Sequence, residues 1–265
     1  MSRYAPLFRR NAGAFGAFVM LGDPDLATSA RILDALVEGG ADMIEVGIPF
    51  SDPVADGPVI QAAAVRALAQ GVTQADCFAL LAGLRARHPD VPVGILTYAN
   101  LVLAHGREVF YRSAAEAGVD SVLVADVPVL EAAPFVAAAR AAGVDPVLIA
   151  AANTPDARLA GIAAMGGGYT YCVTRAGITG ADEAVRFDHA AMLEALRRHG
   201  APPPVFGFGI SKPEHVTAAL AAGAAGIISG SAIVRRIAEN PDDPVPAVRA
   251  FAAAMKAATR AKERA

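Results

Sequence analysis

Gly39-Gly40-Ala41-Asp42-Met43-Ile44-Glu45-Val46-Gly47-Ile48-Pro49-Phe50-Ser51-Asp52-Pro53-Val54-Ala55-Asp56-Gly57-Pro58 places one glutamate inside a short apolar run and two aspartates on the segment after it. The run Met43–Gly47 predicts a strand, in which Met43, Glu45 and Gly47 share one face and Ile44 and Val46 the other. A carboxylate in such a strand is costly to desolvate unless it is paired or used in chemistry. Glu45 therefore reads either as half of a structural ion pair or as an acid–base group facing a pocket. Asp52 and Asp56 follow on the loop, where capping and turn formation are the commoner roles. Asp56 stands two residues before Pro58, where a helix is expected to begin.

Similar runs recur outward from this point. Strands are predicted near Phe15–Leu21, Met43–Gly47, Val93–Tyr98, Ser121–Ala125, Pro146–Ala150, Tyr169–Val173, Val205–Phe208 and Gly226–Ser229. Between them lie segments of helical periodicity: Ala30–Val37, Ala75–Leu84, Glu108–Ala117, Ala132–Ala141, Arg158–Met165, Ala190–Arg198, His215–Ala222 and Ala232–Ala238. Val245–Arg264 reads as one more helix. Gly39, Gly118, Gly143, Gly200 and Gly223 stand where left-handed helix caps want glycine. Thr28, Thr73, Thr154 and Ser211 suit N-caps, and Pro155 a first helical position. Strand and helix alternating eight times argue for parallel pairing, because each crossover consumes a helix's worth of chain. The expected fold is α/β: a single (β/α)8 TIM barrel with extra helices, spanning residues 1–265 as one domain. An open doubly wound sheet is the runner-up, weakened because no Gly-x-Gly-x-x-Gly follows the first strand.

With 265 residues, 54% hydrophobic and 18% charged, the chain has material for a large core. A net charge of -3 gives no electrostatic footprint for nucleic acid or anionic membrane. Cys77 and Cys172 read as free thiols of a reducing compartment, so a cytoplasmic protein is expected. Arg9-Arg10 before Ala12–Leu21 imitates a signal peptide, but the run closes with Gly22-Asp23-Pro24 and reads better as a first core strand.

In a barrel of this kind the reacting groups stand at the carboxyl ends of the strands. Gly207-Phe208-Gly209-Ile210-Ser211 ends the seventh expected strand, and Gly226–Ile233 ends the eighth and opens a helix. Backbone N–H groups at such turns form an anion cradle. Gly177-Ile178-Thr179-Gly180 adds a candidate lid and a further donor. Phe18, Tyr98, Tyr171 and Phe208 fall near strand ends and suit either core packing or a pocket for a flat ring. No lysine lies inside a predicted strand, so a Schiff-base aldolase lacks its amine. Lys212, beside the anion cradle, is expected to face solvent. No histidine has metal-ligand spacing, so no metal is expected. Proton transfer here has to run on carboxylates.

Leu21-Gly22-Asp23-Pro24, Glu45–Pro53, Ala55–Pro58, Tyr98-Ala99-Asn100, Asp126-Val127-Pro128, Gly177–Gly180, Gly207–Ser211 and Ile228–Ala232 together resemble the tryptophan synthase alpha subunits, from end to end of the chain. The resemblance implies a lyase that cleaves indole-3-glycerol phosphate into indole and glyceraldehyde 3-phosphate. It implies that Glu45 and Asp56 are catalytic. Phe18, Tyr98, Tyr171 and Phe208 would form the indole pocket, with Thr179 on the lid. Gly180, Gly209, Gly230 and Ser231 would hold the phosphate. It further implies an alpha2beta2 heterotetramer with a beta subunit that carries the pyridoxal phosphate, none being expected in this chain. Pro49 and Asp52 would belong to the contact with that subunit. Met20 and Ala150-Ala151-Ala152-Asn153 depart from the family's usual residues. Alternative readings are a standalone indole-3-glycerol phosphate lyase, a sugar-phosphate isomerase or epimerase on the same barrel, and a non-catalytic partner that only activates a beta chain.

Overall fold

A computed structural model describes residues 2–10, 13–173 and 189–260. The described residues form nine strands: β1 (Ala14–Met20), β2 (Met43–Gly47), β3 (Val93–Thr97), β4 (Ser121–Val124), β5 (Asp145–Pro146), β6 (Leu148–Ala151), β7 (Thr170–Val173), β8 (Pro204–Gly207) and β9 (Gly226–Ser229). All ladders are parallel, in the order β5-β4-β3-β2-β1-β9-β8-β7-β6. The two ends of that order, β5 and β6, are joined only by Val147, so the chain itself brings the sheet round into a nearly closed barrel. This is the expected TIM barrel, with one correction. The stretch expected as a single fifth strand, Pro146–Ala150, is broken in two. Its first half pairs with β4 and its second half with β7. The strand passes from one neighbour to the other at Val147, whose N–H still donates to Val122 O at 3.0 Å.

Helices surround the strands: α1 (Tyr4–Arg10), α2 (Leu26–Glu38), α3 (Pro58–Ala69), α4 (Gln74–Arg87), α5 (Ala99–Leu103), α6 (Arg107–Glu116), α7 (Ala133–Ala141), α8 (Asp156–Met165), α9 (Ala190–Arg198), α10 (Pro213–Ala221), α11 (Ser231–Glu239) and α12 (Val245–Thr259). Helix α1 is an addition to the expected elements. It buries Tyr4 and Leu7 in the barrel-interior cluster. None of the described helices is by itself long and apolar enough to cross a membrane.

The two faces of each strand divide the core. Phe15, Ala17 and Val19 of β1 and Ile44 and Val46 of β2 pack outward against the helices. Phe18, Met20 and Met43 join Tyr169, Tyr171 and Ile228 inside the barrel. All seven residues of β1 are buried, as a core strand rather than an export leader demands. Met20, one of the departures from the family pattern, turns inward against Gly47. Cys77 and Cys172 are free and buried, and burial pushes each thiol up to about 12.

Several expected helix ends are corrected by their hydrogen bonds. Thr73 does cap α4, reciprocally with Asp76. Thr28 does not cap α2: Asp25 is the cap, and its carboxylate accepts from the Thr28 N–H and hydroxyl, both at 2.8 Å. Thr154 closes a turn onto the Ala151 N–H, and Pro155 takes the N-cap position of α8 in its place. Ser211 lies one residue ahead of the α10 cap position, held by Lys212. The left-handed residue after α2 is Gly40 (φ +98°), not Gly39. Gly118, Gly143, Gly200 and Gly223 take positive φ as expected.

Candidate active site

Glu45 sits in the middle of β2, in register with Phe18 on β1 and Gly94 on β3. It shares the face of Met43, so the alternation of the strand turns its carboxylate into the barrel. The residue is 2% exposed. Its Oε1 accepts a hydrogen bond from the Tyr169 hydroxyl at 2.6 Å, while Oε2 is buried with no partner among the described residues. No arginine among the described residues bonds to it. Burial raises its pKa to about 7, against the Tyr169 hydrogen bond, which lowers it. Such a group holds and gives up a proton near neutrality.

Asp56 stands on the loop before α3. It does not cap that helix, whose N-cap is Gly57 without a side-chain bond. Its backbone carbonyl instead accepts from Gln61 Nε2 at 2.7 Å. Its carboxyl lines the same cavity as Glu45. Burial raises its pKa to about 6, and a hydrogen bond with Tyr98 opposes the rise. Both carboxyls are thus shifted toward neutrality, Glu45 further than Asp56.

The shared cavity has a volume of about 270 Å3. Its wall includes Phe18, Tyr171, Phe208, Ile60, Leu96 and Ile228. An adjoining apolar recess continues past Ala125, Ile149 and Val173. Tyr171 and Phe208 meet edge to face, with ring centroids 5.7 Å apart. Tyr171 owes its place to Gly207: a Cβ there would fall 1.9 Å from the Tyr171 hydroxyl. Tyr98 is not among the residues lining either space. It stacks on Phe50 at 5.4 Å and accepts from the Ala55 N–H at 3.3 Å, so it braces the Asp56 loop from behind.

The far wall of the cavity is built from Gly209, Ile210, Ser211, Gly230, Ser231 and Ala232. Phe208 and Gly209 both have positive φ, +65° and +70°, a conformation that costs Phe208 energy and that functional turns favour. Gly230 is the N-cap of α11 and Ser231 its first residue, so the positive end of that helix faces the space. Gly209, Gly230 and Ser231 thus converge as expected from the sequence. Thr179 and Gly180 lie outside the described residues.

Other residues of the site escape a reading of the sequence. Tyr169 is one; its position two residues before Tyr171, on the same strand face, is the available signal. Lys212, Arg235 and Arg236 also line the cavity. Lys212 is exposed as expected, yet at the cavity mouth. Arg235 follows Ser231 by four residues, one helical turn along the same face. Of the two expected interface residues, Asp52 is exposed and bonded to the Ser51 hydroxyl, while Pro49 is buried within the chain.

Known proteins resemble this chain in sequence and in fold. The family described as tryptophan synthase alpha chain matches residues 4–263. The tryptophan synthase alpha chain of Shewanella amazonensis is 54% identical over 98% of this chain and 100% of its own length. That of Klebsiella pneumoniae is 52% identical over 98% and 99%. Among solved structures, tryptophan synthase subunit alpha from Legionella pneumophila superposes with a TM-score of 0.87 at 28% identity, covering 98% of each chain. A chain from the tryptophan synthase a2b2 complex of Pyrococcus furiosus does so at 0.85 and 37%, over 92% of this chain and 98% of its own. The chain belongs to the tryptophan synthase alpha chain family.

Proposed function

We propose that this protein is a carbon–carbon lyase that cleaves indole-3-glycerol phosphate to indole and glyceraldehyde 3-phosphate, as the alpha subunit of a tryptophan synthase. The observation that carries the reading is Glu45, a buried carboxyl with one oxygen unpartnered among the described residues, in a cavity whose wall also holds Asp56 and an anion cradle. Cleavage requires a proton to arrive on the indole ring carbon that bears the side chain, and a proton to leave the adjacent glycerol hydroxyl. The carbon–carbon bond then breaks, its electron pair returns to the ring, and the hydroxyl carbon becomes the aldehyde. Glu45 serves as both acid and base, so no proton is gained or lost overall. Asp56 opposes the positive charge that develops on the ring nitrogen. Phe18, Tyr171 and Phe208 hold the ring, with Tyr98 setting the Asp56 loop. Gly180, Gly209, Gly230 and Ser231 hold the phosphate, whose binding energy orients the bond to be broken. Thr179 acts from the lid.

The similar chain from Pyrococcus furiosus is part of a tryptophan synthase a2b2 complex, which supports a beta subunit as partner and an alpha2beta2 assembly. Pyridoxal phosphate belongs to that partner. Two free, buried thiols support a cytoplasmic location, and residues 1–265 act as one domain. The test is indole release from indole-3-glycerol phosphate, measured alone and with a beta subunit. Release that rises with the partner is expected. High turnover alone identifies a standalone lyase, and no release in either arm overturns the proposal.

A further inference from the structure

The turn that carries Gly209 is held from two sides. From β9, the buried Ser229 hydroxyl donates to Ile210 O at 2.6 Å. From α10, His215 reaches back across the turn. Its Nδ1 lies 3.1 Å from Gly209 O and 3.3 Å from Ser211 N. His215 is the third residue of α10, the place from which a capping-box side chain reaches toward residues ahead of its helix. The imidazole differs from an ordinary reach-back cap because a single nitrogen faces one acceptor and one donor. It satisfies one at a time: with a proton on Nδ1 it donates to Gly209 O, and without one it accepts from the Ser211 N–H. The shorter contact is the one to Gly209 O. In that state the amide of Ser211, a residue that lines the cavity, is released from the ring.

The turn needs such a tie. Phe208 is the one non-glycine residue with positive φ among the described residues, and Gly209 follows it in the same left-handed region. A phenylalanine in that region persists only where its surroundings hold it. We infer that His215 is a positioning residue for the phosphate end of the site, its Nδ1 anchoring the turn through Gly209 O and keeping Phe208–Gly209 in the shape that receives the anion. The inference rests on the phosphate reading of this cavity and adds to it a side chain that does not itself touch the substrate.

Binding of inorganic phosphate, followed by calorimetry on the full chain, tests it without turnover. His215→Ala is expected to weaken phosphate about tenfold, the scale of one lost hydrogen bond. In the cleavage assay the same variant is expected to raise KM by a similar factor, with kcat changed less than about twofold. His215→Asn sets an amide donor at the place of Nδ1 and is expected to restore phosphate binding to within about threefold. If the alanine variant does not fold, His215→Ser, too short to reach the turn, gives the same comparison. Wild-type phosphate affinity in the folded alanine or serine variant overturns the inference, because His215 is then only a helix cap and its loss lowers Tm alone. So does a folded asparagine variant as weak as alanine. A wild-type protein that binds phosphate yet releases no indole counts against the proposed reaction, while the His215 comparison can still be read.

Discussion

Two buried carboxylates, one at the amino-terminal rim and one inside the barrel, have opposite surroundings. Asp120, at the amino-terminal rim just ahead of β4, is fully engaged. Its oxygens accept from Arg3 and Arg85, both at 2.7 Å, and from the Val93 N–H at 2.8 Å. Glu45, buried as deeply, has one tyrosine hydroxyl and an oxygen left over. The first arrangement offsets the cost of burying a charge and reads as structure. The second leaves that cost in place, and so makes a group that moves a proton near pH 7. Satisfaction of the carboxylate, rather than its burial, separates Asp120 from Glu45.

The largest effect that would sharpen this contrast is on chemistry in the cavity. Glu45→Gln is expected to lower indole release by about three orders of magnitude, within the range for losing a general acid–base. Release within about tenfold of wild type would break the assignment. Asp56→Asn is expected to cost about a hundredfold through lost charge stabilisation, read in the same assay. At the amino-terminal rim, Asp120→Ala should leave cleavage by the folded protein intact but lower unfolding stability by about 3 kcal/mol, since Arg85 loses its charge partner and the buried Val93 N–H its acceptor. Denaturant melts measure this, and an undiminished midpoint would show that the ion pairs there contribute little.

A smaller effect tests the cost of leaving Glu45 unpaired. Its folded pKa of about 7 lies above the 4.5 of an unperturbed glutamate, so the folded state binds the proton more tightly. Its contribution to stability is full below 4.5, declines as pH rises from 4.5 to 7, and is flat above. Glu45→Gln does not titrate, so its stability relative to wild type should climb across that window, by about 3 kcal/mol. Asp56 titrates in both proteins and largely cancels. Melts at about pH 4 and about pH 8 that give the same difference would contradict the raised pKa. The smallest shift is in Tyr169→Phe. Removing the bond that lowers the Glu45 pKa should move the Glu45 limb of the kcat/KM profile to higher pH by about one unit.

Much of this is legible in the sequence because it is periodic. Alternation in Met43–Gly47 is enough to say which way Glu45 can face, and eight strand–helix repeats are enough for the barrel. What the sequence hides depends on contacts between distant residues. The break in the fifth strand follows from β4 and β7 each claiming half of it, which no local pattern announces. Tyr169 becomes a site residue only when β7 is placed across the barrel from β2. Tyr98 reads as pocket wall from its place at a strand end, yet its hydroxyl is committed to the Asp56 loop. Helix α1 has a signal in Tyr4, Leu7 and Phe8, a spacing of three and four, but arginines flank that run and mask its apolar face.

The two cysteines give the chain a built-in clock. Cys77 lies on the buried face of α4 and Cys172 within β7 on another side of the barrel, and neither thiol meets water or ionises at neutral pH. An alkylating reagent can reach them only when the wall around each one opens. The two labelling rates then time the loosening of each half of the molecule separately, with no foreign probe introduced.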